Sequence, residues 1–180
     1  MCFARVIAAG ALLMLVGCQE IGDDLSPSGA DRRPDVVAGS MGTRVDQQSP
    51  DFAVQDTLGN SYALSTELAT ADAVVLYFTM WCPICDSHAS HMRSANIPDF
   101  PQVNFFLVDY VTGSITASRS AQLSNGYASS SVWVDVDQSL FDLYQASMGT
   151  TVVIDSTGIV KMNEDYKDGV KLRAVLDALP

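Results

Sequence analysis

The chain has 180 residues, of which 48% are hydrophobic and 17% are charged, which suits one globular domain. This composition excludes a wholly disordered chain, and four cysteines are too few for a disulfide-dense scaffold. Ten basic against twenty-one acidic side chains give a net charge of −11. That balance argues against nucleic acid as a partner, because phosphate binding needs a basic face.

The N-terminal segment has the layout of an export signal. Residues 1–5 carry one positive charge, residues 6–16 form an apolar run, and the segment closes with Leu15-Val16-Gly17-Cys18, which resembles a bacterial lipobox. The run is shorter than the roughly 20 residues that cross a bilayer. We therefore expect residues 1–17 to be removed and Cys18 to be lipidated. The alternative is an ordinary signal peptide with a cysteine near its end.

This leader predicts where the protein resides and which cysteines stay free. A lipid anchor places the protein in the cell envelope, attached to a membrane and facing the periplasm or the exterior. Gln19 is not the Asp that retains enteric lipoproteins at the inner membrane, so the outer membrane is favoured. Cys2 leaves with the signal, and the mature chain keeps one free pair, Cys82 and Cys85, in an oxidising compartment.

Residues 18–49 are predicted to form a lipidated, flexible tether. Their scattered Pro, Gly, Asp and Ser residues cannot bury enough surface to fold alone. The alternative is an N-terminal extension that packs on the domain, for which the pair Val36 and Val37 is a short apolar signal. The folded domain is expected to span residues 50–180.

Within the domain, strands and helices are predicted to alternate, which is typical of an α/β fold. Two short strands surround the turn at Leu58, Gly59 and Asn60, and a short helix capped by Ser65 covers residues 64–68. Buried strands are expected at 73–79 and 103–111, and a further strand at 131–136. Helices are expected at 82–94, 114–123 and 138–145. A hairpin of 150–154 with 159–162 and an amphipathic helix at 167–179 close the chain.

The chemistry-bearing motif follows the first buried strand, where Trp81, Cys82, Pro83 and Cys85 open a helix. A thiolate is the nucleophile of disulfide exchange, and the free N–H groups and dipole of a helix N-terminus stabilise it. Proline suits the first helical turn, since its missing N–H costs nothing there. We expect Cys82 to be the more reactive thiol, and burial to raise the pKa of Cys85.

With this motif in place, the chain resembles the thioredoxin superfamily, and within it the exported TlpA/ResA-like and AhpC/TSA-type redoxins. The resemblance covers about residues 49–180. It rests on the segments at 49–52 and 56–60, on the strand before the CxxC motif, and on the sequence at 150–158. It implies a central mixed sheet flanked by helices with an N-terminal β-hairpin extension. It also implies that Cys82 attacks disulfides and that Cys85 resolves the mixed disulfide.

Three positions depart from the family pattern. Leu76 stands where thioredoxins carry a buried acid, six residues before the first cysteine. His88 stands where some exported relatives carry a Glu, and its imidazole is a candidate acceptor for the Cys85 proton; the alternative is a solvated helix histidine. Family members usually have a proline with a cis peptide bond just before the strand that begins at residue 150. Gly149, preceded by Met148, stands at that position here. A trans bond is expected at Gly149, since a non-proline cis bond costs about 3 kcal/mol.

The leading interpretation is a membrane-anchored thiol–disulfide oxidoreductase that reduces protein disulfides and receives electrons from a membrane partner, without a cofactor. The dipeptide between the cysteines lacks a histidine that would stabilise the thiolate of a strong oxidant. One alternative is a peroxiredoxin-like peroxidase, for which Thr79 matches part of the motif and Val75 does not. Another is a Cu(I) carrier that adds Met80 and Met148 to the dithiol.

A zinc site is not expected, because helical spacing turns His91 away from Cys82, and His91 is assigned to the surface.

Overall fold

The computed structural model describes residues 34–179, and all structural statements concern this part of the chain. The strands are β1 (Ala53–Asp56), β2 (Ser61–Ala63), β3 (Ala73–Thr79), β4 (Val103–Asp109), β5 (Val132–Val134), β6 (Thr150–Asp155) and β7 (Val160–Asp165). The helices are α1 (Leu64–Leu68), α2 (Pro83–His91), α3 (Ile115–Ser124), α4 (Ser139–Leu143) and α5 (Val170–Asp177). After α2 the chain stays helical through a π-turn, Met92–Asn96, and a 3-10 turn, Ile97–Asp99.

The strands form one mixed sheet in the order β2-β1-β5-β4-β3-β6-β7. The three central strands β3, β4 and β5 run parallel, and all other neighbouring pairs are antiparallel. The antiparallel pair β1 and β2 lies at one edge as the predicted N-terminal hairpin, and the pair β6 and β7 lies at the other. The predicted fold class, an α/β mixed sheet with helices, is confirmed.

Strand β3 lies near the centre of the sheet, and every one of its residues is buried. Because successive side chains of a strand point to opposite faces, Ala73, Val75 and Tyr77 join one core cluster, and the alternate residues Val74 and Leu76 join the other. Burial on both faces explains why the sequence of β3 is a continuous apolar run. The cluster that contains Tyr77 also contains residues of α2, so this face positions the CxxC motif.

Most predicted elements agree with the structure to within a few residues, and the predicted cap of α1 is wrong. The helix begins at Leu64, and Ser65 lies inside it. The backbone N–H and the hydroxyl of Ser65 both donate to the carboxylate of Asp51, at 3.0 and 2.7 Å. An acidic side chain fourteen residues earlier therefore binds the first turn of α1, a contact that local spacing does not reveal.

The prediction of a flexible tether is wrong for its C-terminal part, because that part pairs with the domain. The backbone of Asp46 donates to Val160, that of Val160 donates to Gln47, and that of Ser49 donates to Gly158, all at 2.9 Å. These bonds join residues 46–49 to the start of β7 and the turn before it. Backbone pairing along a sheet edge needs no apolar side chains, so the composition carried no signal of it.

The predicted signal peptide, Cys18 and residues 18–33 of the tether lie outside the described residues. Within residues 34–179, none of the helices has the length and apolar character that crossing a bilayer would require.

Candidate active site

The two cysteines lie where β3 gives way to α2. Trp81 adopts a left-handed backbone with φ of 58°, which turns the chain into the helix. Cys82 is the N-cap of α2, with an extended backbone at φ −88° and ψ 163°, and Pro83 begins the first turn. The Sγ atom of Cys82 accepts a hydrogen bond from the backbone N–H of Cys85 at 3.2 Å. A negative charge on that sulfur is therefore stabilised by the helix N-terminus.

The cysteines are free thiols whose Sγ atoms lie 2.7 Å apart, within hydrogen-bonding distance. Cys82 is half-buried, whereas Cys85 is only 2% exposed. An incoming disulfide therefore meets Cys82 first, and Cys85 lies behind it. This difference in exposure agrees with the roles that the family resemblance implies.

The expected rise in the pKa of Cys85 is not found. Burial does act to raise the pKa of the Cys85 thiol and is the largest single effect on it. Hydrogen bonds from the Cys82 side chain, from the backbone of Met80 and Cys82, and from the Thr79 hydroxyl outweigh burial and hold that pKa below its usual value. Because the two sulfurs lie within hydrogen-bonding distance and their titrations interact, the lowered pKa belongs to the pair.

His88 lies one turn after Cys85 on α2 and is half-buried, so it is not the solvated histidine of the alternative interpretation. Its Nδ1 atom is 3.0 Å from the hydroxyl of Tyr77, and its ring packs against Tyr166 with 4.7 Å between centroids. Burial lowers the pKa of His88, against opposing effects of Asp165 and of a hydrogen bond to the Lys167 backbone. A lowered pKa keeps the imidazole neutral near pH 7, the form that accepts a proton.

Tyr77, and not residue 76, lies on the cysteine side of β3. Leu76 points into the opposite core cluster, so the position at which the sequence shows a missing acid faces away from the site. The Tyr77 side chain is 1% exposed and packs in the cluster of Cys85. Burial, followed by the charge and hydrogen bond of Cys85, raises the pKa of Tyr77. Its phenol is therefore neutral at physiological pH.

Gly149 lies beside β3 at the end nearest the cysteines. No cis peptide bond occurs in residues 34–179, so the bond before Gly149 is trans, as expected. Its N–H donates to the carbonyl of Phe78 at 3.0 Å, and its carbonyl accepts from the N–H of Tyr166 at 2.9 Å. Its φ is +88°, and a Cβ atom would lie 2.7 Å from Oδ1 of Asp165. Met148 is half-buried against the cluster that contains Cys85.

The indole of Trp81 is held by a buried carboxylate. Its Nε1–H donates to Oδ2 of Asp109 at 2.8 Å, and the same oxygen accepts from Ser118 at 2.6 Å and from Thr112 at 2.8 Å. Asp109 has no exposed surface. On its other side, the Trp81 ring lies 6.1 Å from that of Tyr127. The tryptophan beside the cysteines is therefore fixed in place.

Among the candidate Cu(I) ligands, Cys82, Cys85 and Met148 pack at one core cluster, and Met80 does not belong to it. Within residues 34–179, no three His, Cys, Asp or Glu side chains form a cluster that could hold an ion. His91 is exposed, as expected, and its Nδ1 lies 2.7 Å from the hydroxyl of Tyr166. Met80 is 44% exposed.

Sequence reasoning missed Tyr77, Asp165 and Asp109. The sequence carried a usable signal for Asp109, because this residue ends a central parallel strand next to the strand that leads into the CxxC motif. The carboxyl ends of parallel strands meet at one edge of a sheet, where α/β proteins place their sites. The sequence signal for Tyr77 was weaker and consisted of a phenol within a buried strand. Asp165 belongs to a distant strand, and only the tertiary fold brings it to Gly149.

Comparison with known proteins agrees with this geometry. Residues 45–163 match the AhpC/TSA family, while a search of curated protein sequences finds no match. The peroxidoxin BcpB of Mycobacterium tuberculosis is similar in structure, with a TM-score of 0.61 at 20% identity, covering 78% of this chain and 99% of BcpB. A secreted disulfide oxidoreductase of the same organism, homologous to E. coli DsbE, gives a TM-score of 0.54 at 19% identity, covering 71% and 96%.

A thioredoxin-like protein of Aeropyrum pernix gives a TM-score of 0.58 at 16% identity, covering 71% of this chain and 89% of that one. At these identities the structural likeness shows the fold, and the family match shows membership. A thioredoxin-like sheet carries two free thiols at the start of α2, the arrangement that thiol–disulfide exchange uses. The chain belongs to the AhpC/TSA family of the thioredoxin superfamily and is a thiol–disulfide oxidoreductase.

Proposed function

We propose that the protein reduces disulfides of other proteins in the cell envelope, with Cys82 as the attacking thiol and Cys85 as the resolving thiol. The observation that carries this proposal is the difference between the two sulfurs. Cys82 is half-buried, and its Sγ atom accepts a hydrogen bond from the backbone N–H of Cys85, whereas the Cys85 side chain is only 2% exposed. The partly exposed Cys82 sulfur, whose negative charge the helix N-terminus stabilises, suits the attack on a substrate disulfide. The buried Cys85 sulfur suits the later attack on Cys82 within the enzyme.

The reaction proceeds in two exchanges. The Cys82 thiolate attacks one sulfur of a substrate disulfide, an S–S bond forms to Cys82, and the other substrate sulfur leaves as a thiolate. Cys85 then attacks Sγ of Cys82, the enzyme disulfide forms, and the remaining substrate sulfur leaves with its electron pair. Loss of the Cys85 proton is needed for this second step, and His88 is its proposed acceptor.

Reduction is the proposed direction because of the residues between the cysteines. Pro83 lacks an N–H and Ile84 is apolar, so neither side chain donates a hydrogen bond to the Cys82 thiolate. A reduced form without that extra stabilisation is the better electron donor. Each turnover leaves the enzyme oxidised, so the proposal requires a thiol-bearing donor, which in an oxidising compartment is a membrane protein.

Redox equilibration of the full-length protein with glutathione tests the direction. We expect a reduction potential nearer to that of thioredoxin, about −270 mV, than to that of the oxidant DsbA, about −120 mV. Reduced protein should also cleave the disulfides of insulin in stoichiometric amount. A potential at the DsbA end, or rapid turnover of hydrogen peroxide without disulfide reduction, would contradict the proposal.

The anchor is proposed from the lipobox-like sequence that ends at Cys18 and is tested separately. In cells, a Cys18→Ser variant should lose labelling by fatty acid and move from the membrane fraction to the soluble fraction. A Cys2→Ser variant is the matched control, because that residue lies in the segment proposed to be removed. Continued membrane fractionation and labelling of the Cys18→Ser variant would show that the anchor is elsewhere.

A further inference from the structure

The hydroxyl of Tyr77 contacts the two groups between which the second exchange must move a proton. It lies 3.0 Å from Nδ1 of His88, and Tyr77 shares a buried cluster with Cys85, whose sulfur acts to raise the pKa of the phenol. The side chain is 1% exposed, so bulk water does not reach the phenol from its own side of the sheet. Neither the sequence nor the family resemblance assigns this residue a role.

The directions of the hydrogen bonds follow from the surroundings of His88. A hydrogen bond to the Lys167 backbone acts to raise the pKa of His88, and a bond with that effect is one that the imidazole donates to a carbonyl oxygen. The neutral ring then has its proton on that side, which leaves Nδ1 as an acceptor for the Tyr77 hydroxyl. When Cys85 is a neutral thiol, the phenol oxygen has lone pairs that can accept its S–H proton. A Cys85 thiolate instead accepts from the phenol, which is the direction that raises the pKa of Tyr77.

The charges around His88 favour a proton that arrives there. The carboxylate of Asp165 on β7 raises the pKa of His88, whereas His91 on α2 lowers it less strongly. Tyr166, which directly follows β7, packs its ring against the imidazole, and Tyr77 on β3 is neutral. The absence of a side chain at Gly149 leaves the space in which Oδ1 of Asp165 lies, 2.7 Å from where a Cβ would be.

Resting on the proposed function, we propose that Tyr77 is a proton-relay residue for the resolving step. As the Cys85 sulfur attacks Sγ of Cys82, its proton passes to the Tyr77 oxygen, and the phenol proton passes to Nδ1 of His88. The Cys85–Cys82 bond forms, the bond from Cys82 to the substrate breaks, and the substrate sulfur takes the electron pair. His88 ends as an imidazolium near Asp165, and the phenol is regenerated.

The test separates the two exchanges with 5,5′-dithiobis(2-nitrobenzoic acid) and the reduced full-length protein in a stopped-flow spectrometer. Attack by Cys82 releases the first thionitrobenzoate at a rate proportional to reagent concentration. Attack by Cys85 releases the second at a rate independent of that concentration. The variant is Tyr77→Phe, which removes one oxygen and retains the packed ring.

The matched control is Tyr166→Phe, because that ring also packs on His88 but its hydroxyl bonds to His91 and Asn96. In Tyr77→Phe we expect the second phase to slow about tenfold or more, with the first phase unchanged within about twofold. In Tyr166→Phe both phases should keep their rates. Thermal unfolding of both variants shows whether they are folded.

Two further readouts distinguish a relay from a packing effect. His88→Gln should slow the second phase by a similar factor, and the Tyr77→Phe/His88→Gln double variant should be no slower than either, because both break one path. The solvent deuterium isotope effect on the second phase should fall in both single variants. If Tyr77→Phe does not fold, Asp165→Asn should move the pH midpoint of the second phase downward, since it removes the charge that raises the pKa of His88.

A second phase that is unchanged in Tyr77→Phe, or effects that add in the double variant, would overturn the relay and leave the oxidoreductase proposal intact. A wild-type protein that releases no second thionitrobenzoate would instead overturn the proposed roles of the cysteines. The two failures are therefore distinguishable in one experiment.

Discussion

Restoring the family proline at position 149 should destabilise this protein. The backbone of Gly149 has φ of +88°, whereas proline holds φ near −65°. The N–H that proline lacks donates here to the carbonyl of Phe78 at 3.0 Å. The smaller change Gly149→Ala keeps that N–H and adds a single Cβ atom, which would lie 2.7 Å from Oδ1 of Asp165. Gly149→Ala therefore measures the cost of the backbone conformation and of the close contact, without the loss of the hydrogen bond.

The magnitude for Gly149→Ala follows from two costs. A side chain at a left-handed backbone position costs about 1–2 kcal/mol. Crowding of a packed contact costs about 1–3 kcal/mol, and the lower part of that range applies because Asp165 is exposed and can move. We expect a loss of about 2–4 kcal/mol in the free energy of unfolding. Gly149→Pro should lose more, since it also forfeits a hydrogen bond of about 1 kcal/mol.

Urea unfolding followed by circular dichroism measures these changes. The matched control is Gly126→Ala, because Gly126 has φ of +78° and a Cβ there would meet no atom within 4 Å. It should lose only the backbone cost of about 1–2 kcal/mol. In an Asp165→Ala background, Gly149→Ala should lose no more than this control. Equal losses for the two glycines in the wild-type background, or a Gly149→Pro variant as stable as wild type, would refute the reasoning.

Three further predictions follow. Iodoacetamide should alkylate Cys82 first, and a Cys85→Ala variant should accumulate mixed disulfides on Cys82, whereas equal labelling in mass spectra would contradict their roles. Removing Asp109 as Ala should lower the free energy of unfolding by about 2–4 kcal/mol because it leaves the buried donors around it, including the Trp81 indole, without an acceptor; Asp109→Asn should lose less.

The third concerns pH: burial raises the pKa of Asp155, but hydrogen bonds and a lysine ion pair outweigh it and hold that pKa below its usual value. Its stabilisation is present above the unfolded pKa of about 3.9 and is lost as the pH falls through the lower folded value. Urea titrations should therefore show a decline in stability below about pH 4 that is smaller in Asp155→Asn.

The elements and the cysteine motif were predictable because their signals are local. A run such as 73–79 is apolar on both faces only in a strand buried on both sides, and Pro83 after Cys82 marks a helix start. The two hairpins were predictable from turns that contain glycine. Parallel and antiparallel neighbours then followed from the resemblance to a known sheet, which the AhpC/TSA match supports.

The surroundings of the motif were not predictable, because they depend on contacts between distant segments. Leu76 looked like the position that lost a proton acceptor, yet it faces the opposite core, and Tyr77 lies on the cysteine side. Residues 46–49 looked like tether, yet their backbone pairs with β7. Backbone hydrogen bonds at a sheet edge leave no trace in composition, and a shift of one residue along a strand reverses the face it presents.

The sequence by itself therefore determined that two thiols stand at the start of a helix after a buried strand, since propensity, apolar pattern and spacing are properties of short segments. Only the tertiary structure decided which side chains from other segments surround the motif. Tyr77 from β3 contacts His88, Asp109 from β4 holds Trp81, and Asp165 from β7 lies beside Gly149, because the sheet order brings these strand ends together. Their hydrogen bonds and charges set the proton affinities of the site, because electrostatic effects depend on distances through space and on burial, and not on separation along the chain.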